Sequence, residues 1–264
     1  MSAAGAELLR LAEQMLRQRG CVRCASEPAL SVRGAGLLGR AVLTVLAARE
    51  LLVPRVTSAT VLGSGPSATV QCAVLVAGLS GLDSVVVHPG HPDPGLSRMA
   101  GEAGVSVSAC ADVGRAVFGA DLVVLATQPG HPPDPVWHGR LLPGTVVVNA
   151  SGAPSPGLLV RAADRVFADA PTRVLGQPPD REPIGIAQVL RGERRGRTAV
   201  DELLLVELAG SPRLEEALAL RLTEIQRAGV AEGVRVRTGG AGRLRASASC
   251  VGGGGEGPPG CPGG

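Results

Sequence analysis

TVLGSGPSATVQC, residues 60–72, decides how this chain is read. Its centre, Gly63-Ser64-Gly65-Pro66-Ser67-Ala68, has the G-x-G-x-x-A spacing of a phosphate-binding turn. Since 38 of the 264 residues are glycine, spacing alone carries little weight, and the context carries more. Ser58–Gly63 is a β-branched run that reads as a strand, and Ser67–Leu79 is an apolar segment of helical length. In that setting Gly63 ends the strand, Gly65 lets the backbone approach a ligand, and Ala68 permits a close helix–strand contact. Pro66 falls in the first helical turn, where its missing N–H costs nothing. A helix head of this kind offers open amides and the positive end of the helix dipole to an anion. The alternative is a tight turn that binds nothing.

The same rhythm repeats downstream. SVVVH (84–88), Val105–Ala109, DLVVLAT (121–127), Thr145–Ala150 and Arg165–Asp169 read as strands, with helices near 95–103, 111–119 and 157–163 between them. VDELLLVEL (200–208) is a further strand or buried segment. Runs such as VVV and LVVL are continuously apolar rather than alternating, which predicts a parallel sheet covered by helices on both faces. Residues 5–19 and 39–52 have helical spacing, and 212–229 form an amphipathic helix. From Thr238 onward Gly, Ser, Pro and Arg take over, and too little apolar surface remains to offset chain entropy, so disorder is expected. The expected organisation is a helical part at 1–57, a dinucleotide-binding domain at 58–210, a returning helix at 211–237 and a tail at 238–264.

Composition narrows the chemistry. Hydrophobic residues make up 45% of the chain but aromatic ones only 1%, so the core must be Ala, Val and Leu. No lysine occurs, and all 26 basic residues are arginine, which excludes a side-chain Schiff base or a titrating amine. Arginines cluster at 191–197 and 235–245 without interleaved aromatics, which reads as a solvated surface rather than a nucleic-acid site. Cys21-Val-Arg-Cys24 has metal-site spacing but no second pair, so no metal centre is expected. No basic-then-apolar leader and no membrane-length apolar run occurs, which points to a cytoplasmic protein.

About 20 residues beyond the glycine turn, an Asp or Glu ending the second strand would hold a ribose 2′-hydroxyl. Here the strand ends in His88-Pro89-Gly90-His91, with Asp93 further out. That absence counts against NAD. His88 or His91 would tolerate a 2′-phosphate, or are plain surface residues of the loop, so the choice stays open with a slight lean towards NADP.

The serial order of VLGSGPSA (61–68), FGADLVVLAT (118–127), LLPGTVVVNASGAPSPG (141–157) and GRTAVDELLLVELAG (196–210) resembles the ornithine cyclodeaminase/mu-crystallin family. The resemblance covers residues 39–233. It implies an α/β fold of Rossmann type, a doubly wound, mostly parallel sheet with a reduced helical substrate subdomain from the two chain ends. It also implies NAD or NADP as cofactor, a small amino acid or imino acid as substrate, and a homodimer. The reaction would be imine reduction or amino-acid cyclodeamination. By position, Pro66 and Ser67 would lie against the coenzyme phosphates and Thr127 near the nicotinamide. Val148, Asn149, Ala150 and Ser151 would line the ring pocket.

Two departures stand out. The family's N-A-V-G-A-D-x-P-G reads Asn149–Gly157 here, with Pro154 in place of the acid, and proline has no proton to exchange. The mu-crystallin branch also lacks that acid, so imine reduction suffers less than deamination. The family's substrate-binding Arg aligns with Gly39, one residue before Arg40, and one position on a helix is a rotation of about 100°. Arg40 is therefore the substrate candidate, with Arg33 second. A proton would come from His131, Asp134, His138 or water. The alternative function is a catalytically degenerate dinucleotide binder acting as a sensor or partner subunit.

Overall fold

The computed structural model describes residues 32–53, 58–127, 135–170 and 182–210. The helices expected at 5–19 and 212–229, the Cys21/Cys24 pair, His131, Asp134 and the 238–264 tail lie outside the described residues. Eight strands form one sheet: β1 (Ser58–Leu62), β2 (Ser84–His88), β3 (Ser106–Ala109), β4 (Leu122–Leu125), β5 (Val146–Asn149), β6 (Arg165–Ala168), β7 (Ile184–Gly185) and β8 (Leu204–Glu207). Their order is β3-β2-β1-β4-β5-β8-β6-β7, and every pairing is parallel. This is the doubly wound α/β architecture that the continuous apolar runs predict. The order reverses between β1 and β4, the switch point where open parallel sheets bind ligands. The last strand, β8, inserts between β5 and β6.

The helices are α1 (Val32–Leu51), α2 (Gly65–Gly78), α3 (Pro94–Glu102), α4 (Val113–Val117), α5 (Gly157–Ala162) and α6 (Ile186–Leu190), with a 3₁₀ turn at Pro135–Arg140. No described helix is long and apolar enough to cross a membrane. α1 begins seven residues before the expected start at Gly39. Glycines at 34, 36 and 39 lower its intrinsic propensity, but burial of Leu38, Ala41, Val42, Val45 and Leu46 overrides that cost. α1 packs against α2, β5 and α6. α4 is shorter than expected, because Asp112 caps its start by accepting from Arg115 N at 2.6 Å and the chain turns extended at Phe118.

Register organises the carboxyl edge. Leu62 pairs with His88 and Leu125, Leu125 with Asn149, Asn149 with Glu207, and Glu207 with Ala168. One row thus crosses six strands with its side chains on one face. On that face Leu62, Leu125, Val147 and Leu205 pack with Val117 of α4, Trp137 of the 3₁₀ turn, and Leu159 and Val160 of α5. Leu and Val fill this core, as the scarcity of aromatics requires.

Arg197 departs from the solvated surface expected of the 191–197 cluster. Its half-buried guanidinium donates to the carbonyls of Leu51 (2.8 Å), Gly144 (2.7 Å) and Glu202 (2.8 Å), tying α1 to the lead-ins of β5 and β8. Arg191 behaves as expected, pairing at the surface with Glu193 at 2.6 Å.

Candidate active site

The glycine turn sits at the switch point. Gly63 has φ +153°, and a Cβ there would meet the Ala126 carbonyl carbon and oxygen at 2.6 Å and Thr127 N at 3.0 Å. The exits of β1 and β4 therefore touch backbone to backbone, as only glycine allows. Gly65, at φ +69°, begins α2, and Pro66 lies in its first turn. Ser64, the N-cap, makes no side-chain cap hydrogen bond, and Ser64, Gly65 and Pro66 are exposed. Among the described residues, no side-chain cap closes the exposed head of α2. Ser67 is half-buried beside it, and Ala68 is buried against the sheet.

At the end of β2, His88 Nδ1 lies 2.9 Å from the Cys110 carbonyl. A carbonyl only accepts, so Nδ1 carries the proton in the neutral ring. His91 is exposed. Asp93, the nearest carboxylate, accepts from Gly95 N (2.8 Å) and Leu96 N (3.2 Å) as the N-cap of α3. Its Oδ1 takes both bonds and is committed to that helix.

The loop after β5 is held from within. Asn149, buried, donates through Nδ2 towards Ala153 O (2.7 Å), Ser155 Oγ (3.0 Å) and Glu207 Oε2 (2.9 Å). Its Oδ1 accepts from Ser151 N (3.2 Å) and Ser151 Oγ (2.7 Å). An amide has two N–H hydrogens, so the three acceptors share them, and every polar atom of Asn149 is engaged. Asn149 therefore organises the loop. Val148 and Ala150 are buried, and of the four residues expected along the ring pocket only Ser151 keeps a partly exposed side chain. Thr127 is half-exposed beside Gly63.

Glu207 completes this constellation, and the sequence reading had not singled it out. It ends β8 opposite Asn149, whose Nδ2 donates to its Oε2 at 2.9 Å. Its Oε1 is shut from solvent with no hydrogen-bond partner. Burial pushes its pKa up, and the nearby Asp169 adds to the rise, while the bonds from Ser155 and Asn149 oppose it. Asp169, past the end of β6, accepts from Ala209 N (2.9 Å) and Gly210 N (2.8 Å). The available signal was a lone acid inside an apolar strand, LLLVEL, but only the placement of β8 beside β5 gives it meaning.

Arg40 resolves the one-residue shift. Gly39 is buried within α1, whereas the Arg40 guanidinium reaches the loop after β5, with Nη1 3.8 Å from where a Gly152 Cβ would stand. Its Nε is buried and unpartnered. Among the described residues it is the cation that the fold delivers to this loop. Arg33 lies in α1, and its side chain is outside the described set. His138 sits in the 3₁₀ turn packed on α4 and α5, in the stretch leading to the amino end of β5. The structure does not bring it into the carboxyl-edge row. A groove of about 630 Å³ bordered by Asp112, Arg115, Phe118, Trp137 and Arg140 runs along α4 and shares no residue with that row.

No protein-family model matches the chain, and no curated protein matches it. Solved structures do. Iminosuccinate reductase of Paracoccus denitrificans in complex with NAD⁺ superposes with a TM-score of 0.61 at 18% identity, over 74% of this chain and 64% of that one. A probable ornithine cyclodeaminase from Bordetella pertussis Tohama I gives 0.55 at 24%, over 71% and 66%. Thermococcus litoralis Δ¹-pyrroline-2-carboxylate reductase, in complex with NADH and L-proline, gives 0.55 at 16%, over 72% and 64%. The chain thus spans about two thirds of the length of each. At these identities the likeness establishes a shared fold, and it is the fold that the order of motifs implied: that of the cyclodeaminases and imine reductases.

Proposed function

We propose that this chain binds a nicotinamide dinucleotide across the carboxyl edge of its sheet and reduces the C=N bond of a small imino acid. The observation that carries this reading is the head of α2: open, uncapped, preceded by a glycine that has no room for a Cβ, and placed at the switch point. The residues present fit the group, with Gly65, Pro66, Ser67 and Ala68 around the pyrophosphate and Thr127 and Ser151 towards the nicotinamide. The bound reduced coenzyme would supply the hydride. Arg40, over Gly152, would hold the carboxylate of the substrate. Reduction is favoured over cyclodeamination because Pro154 offers no base in this loop. The similar proteins include reductases of a cyclic imine and of an imino diacid, the substrate class proposed here.

NADPH is the favoured coenzyme, since Asp93 Oδ1 caps α3 and no other carboxylate lies in the loop between β2 and α3. The chain would act as a homodimer, which light scattering checks. Separate fluorescence titrations of NADH and NADPH test the binding, with the tighter affinity expected for NADPH. Coenzyme oxidation with a panel of cyclic and α-imino acids tests the reaction. Failure of both coenzymes to bind at millimolar concentration would remove the proposal.

A second reading has its own observation: all polar atoms of Asn149 are engaged within the protein. A binder that senses the coenzyme or serves a partner subunit would show saturable binding without turnover on any imine.

A further inference from the structure

Reduction of an imine needs a proton as well as a hydride, and the described residues narrow its source. Pro154 has none to give. Asp169 has both oxygens committed to backbone amides. His88 ends β2, with β1 and β4 between it and Asn149. His138 lies off the carboxyl-edge row.

We propose that Glu207 is the proton donor, its O–H at Oε1 being the bond that breaks; the inference rests on the imine-reduction reading above. Three observations carry it. β8 inserts beside β5 and so delivers a carboxyl to the loop that has none of its own, where Asn149 donates to it. Oε2 is the oxygen that accepts from Asn149, at 2.9 Å, which leaves Oε1 to carry the proton. Oε1 is buried and unpartnered, the condition in which a carboxyl keeps its proton and gains most from a new acceptor such as an imine nitrogen.

Burial raises the Glu207 pKa, so the acid form persists to higher pH than in an ordinary carboxyl. The groups facing it are Asp169 from the end of β6, whose charge favours the acid form, and the neutral Asn149 and Ser155. In the step, the imine carbon accepts the hydride, the C=N π pair takes the proton from Oε1, and Glu207 is left as a carboxylate. A proton from water restores it.

Two measurements on the full chain decide the matter. Infrared spectra of [¹³C]glutamate-labelled protein across a pH series should show a protonated carboxyl band that persists above the ordinary carboxyl range and is absent from Glu207→Gln. No such band overturns the proposal whatever the activity. In steady-state assays with the imine that wild type reduces, Glu207→Gln should lower kcat by about 100-fold with the coenzyme KM unchanged. Wild-type kcat should fall about tenfold per pH unit above the pKa of the acid, and any residual activity of the variant should lack that limb. Variant activity within threefold of wild type, or a flat wild-type profile, overturns Glu207 alone and leaves imine reduction standing. Wild-type silence on every imine removes the reduction reading and this proposal with it. Absence of the band from wild type or a flat wild-type profile overturns the proposal even if the variant fails to fold.

Discussion

Replacing Gly63 with alanine tests the closure of the switch point. The added Cβ would stand 2.6 Å from the carbonyl carbon and oxygen of Ala126, well inside the 3.4 Å where ordinary contact begins. Neither partner is free to withdraw. Gly63 N donates to His88 O at 2.6 Å and Ala126 N donates to Leu62 O at 2.7 Å, so separation strains the β1–β2 and β1–β4 ladders. The backbone at φ +153° adds its own penalty for an L-residue. Overpacking and backbone strain each cost about 1–3 kcal/mol, about 2–6 kcal/mol together. A domain of this size loses about 2–4 °C of Tm per kcal/mol, so the melt should fall by roughly 5–20 °C. The assay is thermal unfolding followed by circular dichroism. Gly101→Ala serves as control, since nothing lies within 4 Å of its Cβ position and α3 should gain up to about 1 kcal/mol from alanine. A Gly63→Ala melt within 2 °C of wild type would refute the packing argument.

Further outcomes follow from individual contacts. Arg197→Met should lower stability by about 1–3 kcal/mol in urea titrations, because the carbonyls of Leu51, Gly144 and Glu202 lose a shared donor; lysine should recover little, lacking the fork. Asp93→Ala should cost about 1 kcal/mol through loss of the α3 cap, read in the same titration. Cys72, whose thiol burial pushes up to about 12, should resist a disulfide reagent in the native chain and react on unfolding. Glu207 has a raised pKa in the fold, so the native state binds more protons than the unfolded chain once pH exceeds the ordinary 4.5. Its contribution to stability therefore falls as pH rises from there through the raised value. Tm of wild type minus Tm of Glu207→Gln should decline across that window, and a constant difference would contradict the assignment.

What the sequence determined by itself is local. LVVL and TVVV announced strands buried on both faces, and the limits of β2 were read from SVVVH although its burial alternates, because side-chain period and β-branching act within a few residues. Gly63, Gly65 and Pro66 announced the turn, since backbone freedom and a missing N–H belong to single residues. The start of α1 was not legible, because burial outweighed its glycines. Tertiary structure decided the rest. Strand order places β8, last in the chain, beside β5, and only that pairing brings Glu207 to Asn149 and Ser155. The packing of α1 over β5 brings Arg40 to Gly152, and Arg197 reaches back to Leu51. Those contacts span long stretches of sequence, and their energies exist only once the chain has closed the loops between them.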